Sequence, residues 1–317
     1  MTRGLVLGKF LPYHRGHEHL IRTARAQVDE LTVLVRSTEC DPIPGGYRYQ
    51  WVRAAHPDCR VVHVTEDGEW ASLAARHAGR VEVVFTSDDD GDQLAARLDA
   101  RHVCVDRARQ VVAVTSTMIR EDPMRHWAFI PEVARWYFVR RIALVGAESV
   151  GKSTVAERLA RELDTAWVPE YGREYCLDVD AMTLRTVDLE AIAWGQATWE
   201  DEAAHRANRV LLCDTELHTT CTWCDIITGG RPAWMTAAAR DRPYDLFLLL
   251  EPDVAWVDDG VRVLGDTRAQ HTAAILRELH DAGRRVLHVR GDWQTREDAV
   301  RDAVARVLAE PGLPAKR

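Results

Sequence analysis

The segment Gly146–Ser153 (Gly-Ala-Glu-Ser-Val-Gly-Lys-Ser) has the residue types and spacing that hold a polyphosphate. Its glycines let successive backbone N–H groups turn inward, Lys152 brings an ammonium to the β- and γ-phosphates, and the Ser153 hydroxyl is placed to ligate Mg²⁺. An apolar strand pattern precedes the segment and a helix pattern follows it. We interpret it as a P-loop, and the alternative is a Gly-rich turn that happens to end in Lys-Ser.

Two carboxylates follow later strand patterns at the same end of the expected sheet. Asp214 ends the apolar run Val210–Asp214, where a P-loop fold places the acid that organises Mg²⁺. An ordinary helix cap is the alternative for this residue. Glu170 opens the segment Glu170–Tyr175 and is suited to bind ribose hydroxyls or to act as a base toward an attacking hydroxyl. A solvated acid at a helix start is a nearly equal interpretation of Glu170.

A third stretch in this half has the composition of a lid. Trp256–Arg262 contains a glycine and lies, with Arg268, between an apolar strand pattern and a helix pattern. Two arginines in such a loop suit a segment that closes over a transferring phosphate and excludes water. The Trp256 ring is suited to stack on a flat ligand ring, and an aromatic residue is equally typical of a core.

The first half carries a different pair of anion-binding patterns. His14 and His17 are three residues apart at a predicted helix start, so both face one anion with help from the helix dipole, and Gly16 allows a phosphate close to the backbone. A metal pair or a helix cap are the alternatives. The late run Val114–Arg120 places hydroxyls before a helix and an arginine one turn in. Across one sheet end, the two patterns predict a nucleotide triphosphate clamp.

The elements that position these residues alternate regularly along the chain. Short β-branched runs alternate with amphipathic stretches in both halves, which is typical of parallel βαβ units. The sequence therefore predicts an α/β fold with two doubly wound parallel-sheet domains in tandem, over residues 1–138 and 139–317, with a helix over Pro131–Arg140 leading from one to the other. The predicted strands are Leu5–Gly8, Leu31–Arg36, Val61–Val64, Val81–Thr86 and His102–Val105, then Arg141–Gly146, Ala166–Pro169, Val210–Asp214, Leu246–Leu250 and Arg285–Val289.

Composition excludes several classes of protein. With 317 residues, of which 46% are hydrophobic, each half has enough apolar side chains for a core. Asp and Glu outnumber Lys and Arg by 49 to 41, a net charge of −8, which argues against a dedicated nucleic-acid binder. No apolar run reaches the length of a membrane span, and the amino terminus lacks a secretory signal pattern. We expect a cytoplasmic protein.

Cysteine and lysine usage adds two smaller signals. The seven cysteines are odd in number and scattered, which favours reduced thiols. Cys221 and Cys224 form one close pair, for which packing is favoured over a redox or half-metal motif because no second pair or nearby histidine completes a zinc site. The lysines are Lys9, Lys152 and Lys316, so nearly all basic residues are arginine. Two of the three lie in the phosphate-binding patterns, where a compact ammonium is not replaceable by a guanidinium.

The ordered combination of these motifs resembles the bifunctional NadR family, which joins a nicotinamide-mononucleotide adenylyltransferase to a ribosylnicotinamide kinase. The resemblance runs from about Gly4 to near Leu308. In the first half it rests on G-K-F-x-P-x-H-x-G-H (residues 8–17), the late S/T-x-T-x-x-R, Pro42-Ile43-Pro44, Arg48-x-x-Trp51, Asp106-x-x-Arg109 and Asp122-Pro123-x-x-His126-Trp127. In the second half it rests on G-x-E-S-x-G-K-S, Glu170-Tyr171-x-Arg173-Glu174-Tyr175, Asp214-Thr215 and Trp256-x-x-Asp259-Gly260-x-Arg262.

The resemblance implies two reactions with ATP as co-substrate and Mg²⁺ as cofactor. The kinase half phosphorylates nicotinamide riboside to the mononucleotide (NMN), and the first half transfers an adenylyl group from ATP to NMN, giving NAD and pyrophosphate. The implied catalytic residues are His14, His17, Arg120, Lys152, Asp214 and Glu170. ATP is expected at Gly8, Lys9, Phe10, His14, His17, Thr117 and Arg120 in the first half, and at Gly146, Glu148, Ser149, Gly151, Lys152, Ser153 and Thr154 in the second. The residues expected to form the lid or to contact the substrate are Tyr171, Arg173, Trp256, Asp259, Arg262 and Arg268. The expected metal ligands are Ser153 and Asp214.

Three departures from the family pattern shape these expectations. Thr115 stands where relatives usually have Ser, and Asp90-Gly91 stands where relatives carry an aromatic residue before the glycine. The second change raises an alternative in which only the kinase is active and the first domain is a regulatory module that senses nucleotide or NAD. Because the first strand begins at Gly4, we expect no amino-terminal helix-turn-helix. The expected partners are small molecules rather than nucleic acid or membrane, and a homo-oligomer is compatible with the sequence.

Overall fold

In a computed structural model, the described residues are 1–88, 91–177, 179, 181–253 and 268–315, without the side chain of Met182. The chain forms two compact units, Met1–Arg135 (unit 1) and Trp136–Arg317 (unit 2), which divide inside the helix Glu132–Phe138. The domain boundary between 138 and 139 remains a prediction.

Unit 1 is built around one five-stranded parallel sheet in the order β3-β2-β1-β4-β5. Its strands are β1 (Arg3–Gly8), β2 (Glu30–Arg36), β3 (Arg60–Val64), β4 (Val83–Thr86) and β5 (Arg101–Cys104). Its helices are α1 (Arg15–Arg25), α2 (Gly45–Ala55), α3 (Trp70–Ala78), α4 (Gly91–Arg97), α5 (Ser116–Glu121) and α6 (Glu132–Phe138), with a 3₁₀ turn at Trp127–Phe129.

The strands of unit 1 are continuous apolar runs in the sequence because they are buried on both faces of the sheet. Val33, Leu34 and Val35 are successive residues of β2 and all are buried, which requires cover on both faces of the sheet. The central strand β1 pairs with β2 on one side and β4 on the other. Because the winding direction reverses at this strand, a crevice is expected outside the carboxyl ends of β1 and β4.

Unit 2 has a second five-stranded parallel sheet, in the order β10-β9-β6-β8-β7. Its strands are β6 (Arg140–Val145), β7 (Trp167–Val168), β8 (Val210–Asp214), β9 (Leu246–Leu250) and β10 (Val286–Val289). Its helices are α7 (Lys152–Glu162), α8 (Tyr171–Tyr175), α9 (Thr186–Ala204), α10 (Leu217–Thr228), α11 (Ala233–Asp241), α12 (Arg268–Asp281) and α13 (Trp293–Ala309), with a 3₁₀ turn at Ala181–Thr183. The central strand β6 lies between β8 and β9, so its carboxyl end is the switch point of this sheet.

The two parallel sheets confirm the predicted fold class, and the helices differ from the prediction in three places. The helix expected over Pro131–Arg140 ends at Phe138, because the backbone N–H of Arg140 donates to the carbonyl of Arg209 and opens β6. Helices α10 and α11 were not predicted. The sequence of α10 is rich in Thr and Cys, which have weak helix propensity, and tertiary burial outweighs that preference.

Cys221 and Cys224 both lie buried on α10, in an apolar cluster with Leu189, Ile192 and Met235, as the packing interpretation predicts. Within the described ranges, the helices are too short or too polar to cross a bilayer.

Candidate active sites

The loop after β1 in unit 1 is fixed by a buried arginine. Arg48 donates to the carbonyl oxygens of Ile43 (3.0 Å), Arg36 (3.0 Å) and Lys9, and pairs with the carboxylate of Asp41 at 2.6 Å. These partners belong to the segments that leave β1 and β2 at the carboxyl end of the sheet. One guanidinium thus holds the predicted phosphate-binding loop, which gives the Arg48-x-x-Trp51 motif a structural role.

His14 and His17 lie together at the start of α1. The Nδ1 atom of His14 accepts hydrogen bonds from the backbone N–H groups of Gly16 (3.1 Å) and His17 (3.4 Å), so His14 is the cap of this helix. The two imidazole rings stack with centroids 3.8 Å apart. A Cβ atom on residue 16 would lie 2.9 Å from Cε1 of His14. Glycine therefore gives the capping histidine room here, in addition to any ligand.

Burial keeps both histidines neutral. It lowers the pKa of His14 to about 3, with a further contribution from the Arg109 guanidinium. It also holds the pKa of His17 well below the usual range, helped by His14 and Arg109. Because Nδ1 of His14 accepts two backbone hydrogen bonds, the proton of its neutral ring is on Nε2. These residues are therefore hydrogen-bonding groups rather than cations.

The late hydroxyl-rich segment meets the same loop. Arg120 donates to the carbonyl oxygen of Leu11 and to Oγ1 of Thr117 at 3.1 Å, and the Ser116 hydroxyl donates to the carbonyl oxygen of Pro12 at 3.2 Å. These bonds tie α5 to the loop between β1 and α1. The two halves of the predicted clamp are thus brought together.

Both halves line one cavity of about 840 Å³ at the carboxyl ends of β1 and β4. All seven residues expected to bind ATP in this half border it: Gly8, Lys9, Phe10, His14, His17, Thr117 and Arg120. The Lys9 ammonium lies 4.0 Å from the Asp41 carboxylate and is half exposed.

Other residues that line this cavity were not given a role from the sequence. Trp70 and Asp88 carry no motif signal, and Arg109 was quoted only as part of a resemblance. The Arg36 guanidinium lies over the Trp70 ring at 5.4 Å. Asp90 lies outside the described residues, whereas Gly91 borders the cavity.

The P-loop of unit 2 adopts the strained turns that its glycines allow. Gly146 has φ +137° and Gly151 has φ +90°, and a Cβ atom would overlap the Leu250 carbonyl at the first position and the Trp293 ring at the second. The Lys152 ammonium donates to the carbonyl oxygens of Gly146 (3.0 Å) and of the following residue (2.9 Å). The lysine is thus folded back on its own loop.

A second buried arginine, which no motif in the sequence indicates, anchors this loop. Arg296 on α13 donates to the carbonyl oxygens of Val150 (3.1 Å), Glu251 (2.8 Å) and Gly291 (2.7 Å). It joins the P-loop to the segments that follow β9 and β10. The role parallels that of Arg48 in unit 1.

Asp214, at the end of β8, contacts the P-loop directly. The Ser153 hydroxyl donates to its Oδ2 atom, while Oδ1 is buried and lacks a hydrogen-bond partner among the described residues. Oγ1 of Thr215 is in the same situation. Burial raises the pKa of Asp214 to about 6, and the Lys152 charge opposes this effect.

These oxygens fit a hard divalent cation, which takes carboxylate and hydroxyl oxygens as ligands. The helix-cap alternative for Asp214 is excluded, because Glu216 caps α10 by accepting from the N–H groups of His218 (2.6 Å) and Thr219 (2.9 Å). Of the residues described, no three His, Cys, Asp or Glu side chains form a cluster able to hold a metal by themselves. A cation at Asp214 would therefore need ligands from the substrate.

Two adjoining cavities open beside the P-loop. The first, about 120 Å³, is lined by 149–154 and Arg173 and is the phosphate cradle; it contains the predicted residues Ser149, Gly151, Lys152, Ser153 and Thr154. The second, which we call the acceptor cavity, measures about 100 Å³. Its polar lining residues include Glu148, Lys152, Glu170, Arg173, Thr215 and His271, and its apolar ones include Ala181, Leu184, Leu189, Ile192, Trp223 and Ile227.

The predicted substrate residues of unit 2 do not all reach the acceptor cavity. Glu170 starts α8 without a side-chain capping bond, and its carboxylate lies 3.8 Å from the Arg173 guanidinium. The Tyr171 ring packs edge-on against Trp199, with centroids 4.7 Å apart, and is not part of the cavity lining. Arg268 is buried at the start of α12 and is also outside the lining. Trp256, Asp259 and Arg262 lie outside the described residues.

Comparisons with known proteins agree with this arrangement. A family model described as an AAA domain matches residues 141–296. The trifunctional NAD biosynthesis/regulator protein NadR of Escherichia coli (strain K12) is 31% identical over 300 residues, which are 84% of this chain and 73% of the relative.

Two solved structures have the same fold. They are crystal structures of NadR protein, one in complex with NR and one with NAD and AMP-PNP. Each has a TM-score of 0.82 at 21% identity and covers 98% of this chain and 96% of its own. With the curated relative matched at this identity over nearly three quarters of its length, the chain belongs to the NadR family.

Proposed function

We propose that this chain is a bifunctional transferase of NAD biosynthesis, with a ribosylnicotinamide kinase at 139–317 and an NMN adenylyltransferase at 1–138. The observation that carries the proposal is the Ser153–Asp214 pair at the foot of a P-loop that adjoins the acceptor cavity. The family supports it, since the relative's name describes NAD biosynthesis and the solved structures hold NR, NAD and AMP-PNP.

In the kinase reaction, the 5′-oxygen of nicotinamide riboside attacks the γ-phosphorus of ATP. The bond to the β–γ bridging oxygen breaks, ADP leaves, and the hydroxyl proton passes to a carboxylate, for which Glu170 in the lining of the acceptor cavity is suited. Lys152 exchanges its two carbonyl acceptors for phosphate oxygens. Most of the acceleration comes from alignment and charge.

Mg²⁺ is the cofactor of this proposal, held by Ser153 and Asp214, and when bound it supplies positive charge to the β- and γ-phosphates. The unpartnered Oδ1 atom of Asp214 supports the assignment. The arginines near the cradle then act beside it. Arg173 borders both cavities and is positioned to contact the phosphoryl group as it moves between them.

In the adenylyl transfer, a phosphate oxygen of NMN attacks the α-phosphorus of a second ATP. The bond to the α–β bridging oxygen breaks and pyrophosphate leaves, so the step needs no proton acceptor. It needs hydrogen-bond donors and positive charge around a crowded anion. His14 through its Nε2–H, His17, Thr117, Arg120 and Lys9 line the large cavity and fit this task.

Incubation of the purified chain with nicotinamide riboside, ATP and Mg²⁺, followed by chromatography of the products, tests the proposal. NAD among the products is the expected result. NMN alone contradicts the transferase half, and a change of the kinase rate on adding NAD would then identify the first domain as a regulatory module. Absence of both products from a folded, ATP-binding preparation contradicts the whole proposal.

A further inference from the structure

His271, on the first turn of α12, is the most unusual polar group of the acceptor cavity. Its side chain lines the cavity and only 3% of the residue surface is exposed. Neither Nδ1 nor Nε2 has a hydrogen-bond partner within the part of the chain that is described. Buried polar groups are nearly always paired, and leaving one unpaired costs stability. An imidazole with two free nitrogens in a ligand cavity is therefore placed for a ligand.

The surroundings of His271 define its chemical state. Its ring packs against Trp223, with centroids 4.4 Å apart. Burial, aided by the Lys152 ammonium, lowers its pKa to about 4. Glu148, Glu170 and Arg173 are the charged groups that line the cavity together with Lys152. A neutral imidazole offers one N–H donor and one acceptor, which matches a hydroxyl group better than it matches a phosphate.

The position of His271 selects one part of the substrate. It borders the acceptor cavity and is not part of the phosphate cradle formed by 149–154. The acceptor cavity is also lined by apolar side chains, among them Leu189 and Ile192, which suit a flat ring. The sugar hydroxyls are then the part of the acceptor that suits a neutral imidazole in the same cavity as Lys152.

We propose that His271 binds the sugar hydroxyls of the riboside and so orients the 5′-oxygen toward the cradle. The proposal deepens the kinase function proposed above and rests on it. No motif quoted from the sequence includes His271. Its role as a substrate-binding residue follows from its two unpaired nitrogens and its place in the cavity.

The first experiment replaces His271 by Phe, which keeps a ring and removes both nitrogens. The KM for nicotinamide riboside should rise about 10- to 100-fold, while the KM for ATP should stay within about twofold. His271→Asn, which keeps a donor and an acceptor, should recover part of the loss. The control is His280→Phe on the same helix, where the side chain is exposed and kinetics should not change. A KM for riboside that stays unchanged in both His271 variants would overturn the proposal.

The second experiment pairs the variant with substrates that lack one hydroxyl. Nicotinamide 2′-deoxyriboside and 3′-deoxyriboside are compared with the parent riboside. For at least one of them, kcat/KM should fall about tenfold or more with the wild-type enzyme and less than about twofold with His271→Phe, because the partner is already gone. Equal factors in both enzymes mean that His271 does not touch the sugar.

These experiments separate the two levels of the argument. Wild-type chain that makes no NMN from riboside and ATP removes the kinase function and this inference with it. Wild-type chain that makes NMN, with a His271→Phe variant of unchanged riboside KM, removes this inference alone. The ATP KM of each variant reports whether its P-loop is still folded, so a misfolded variant is recognised, and the His271→Asn series then decides.

Discussion

At the nucleotide cavity of unit 1 the His14 and Arg120 side chains are bonded to the protein and Nδ1 of His17 has no partner in the described residues, whereas Asp214, Thr215 and His271 of unit 2 all keep buried atoms without one. His14 caps α1 through Nδ1, and Arg120 donates to the Leu11 carbonyl and to Thr117. In contrast, Asp214 and Thr215 keep buried oxygens that have no partner in the described structure. The cavities also differ in volume, which is about 840 Å³ in unit 1 and about 100 Å³ for the acceptor cavity of unit 2.

The difference indicates two ways of preparing for an anion. Unit 1 is the more preorganised site, because bonds within the protein orient His14 and Arg120 and burial keeps both histidines neutral. Unit 2 carries more buried polar groups without partners. They are expected to lower the unfolding free energy of the free protein until a ligand binds to them. Experiments that change one site at a time therefore test whether the sites differ and whether they are separate.

The largest expected effect is a reciprocal loss of the two activities. Lys152→Ala removes the ammonium that leaves its loop carbonyls for phosphate, and should lower riboside phosphorylation about 100- to 1,000-fold while adenylyl transfer to added NMN stays within about twofold. His17→Ala should do the reverse. Separate assays of each half-reaction, with circular dichroism to confirm folding, check this result. Loss of both activities from either folded variant would refute two separate sites.

Glycine substitutions test the backbone of each site. Gly151→Ala places a side chain at φ +90° against the Trp293 ring, and should lower kinase kcat/KM about 10- to 100-fold. Gly16→Ala brings a Cβ atom within 2.9 Å of the capping His14 and should lower adenylyl transfer by a similar or smaller factor.

Matched controls exist in both units. Gly230→Ala in unit 2 and Gly46→Ala in unit 1 add a Cβ atom that meets nothing within 4 Å, so neither activity should change. If Gly151→Ala and Gly230→Ala gave equal kinase rates, the described conformation of the P-loop would be wrong.

These comparisons also show how far the sequence could go. The P-loop, the His14–His17 pair and Asp214 were predictable because local spacing determines their chemistry. His271 and Arg296 were not, because each acts through contacts with segments distant in sequence, and a single His or Arg in an amphipathic helix carries no signal. For the same reason, the capping role of His14 stayed an alternative until its Nδ1 contacts were seen, and Glu216 was not recognised as the cap that excludes this role for Asp214.

The neutral state of His14 predicts a pH dependence of stability. Its folded pKa is lowered to about 3, whereas the unfolded chain takes up a proton near pH 6.5. Its contribution to folded stability is therefore fully present above about pH 6.5 and is lost as the pH falls toward about 3. Between about pH 6.5 and 5, wild-type chain should lose roughly 2 kcal/mol more than His14→Gln, measured by urea unfolding. The exposed His280, changed to Gln, is the control and should follow wild type. Parallel profiles for wild type and His14→Gln would show that His14 is protonated in the folded protein.

The smallest effect tests the cost of the unsatisfied site in unit 2. Asp214→Asn keeps the shape of the side chain and removes a buried charge, so it should abolish kinase activity and yet raise the unfolding free energy of the ligand-free chain by about 1 kcal/mol at pH 7.

Thermal unfolding without and with ATP and Mg²⁺ measures the stability of the free chain and the stability gained from the ligands. Wild type should gain stability from the ligands and the variant should gain much less. Unit 1 offers the contrasting variant, Arg120→Met, which breaks the bonds to Leu11 and Thr117 and should lower stability together with adenylyl transfer. A variant of Asp214 that is less stable than wild type without ligand would mean that the carboxylate is satisfied within the protein, and the difference between the two sites would then lie in size alone.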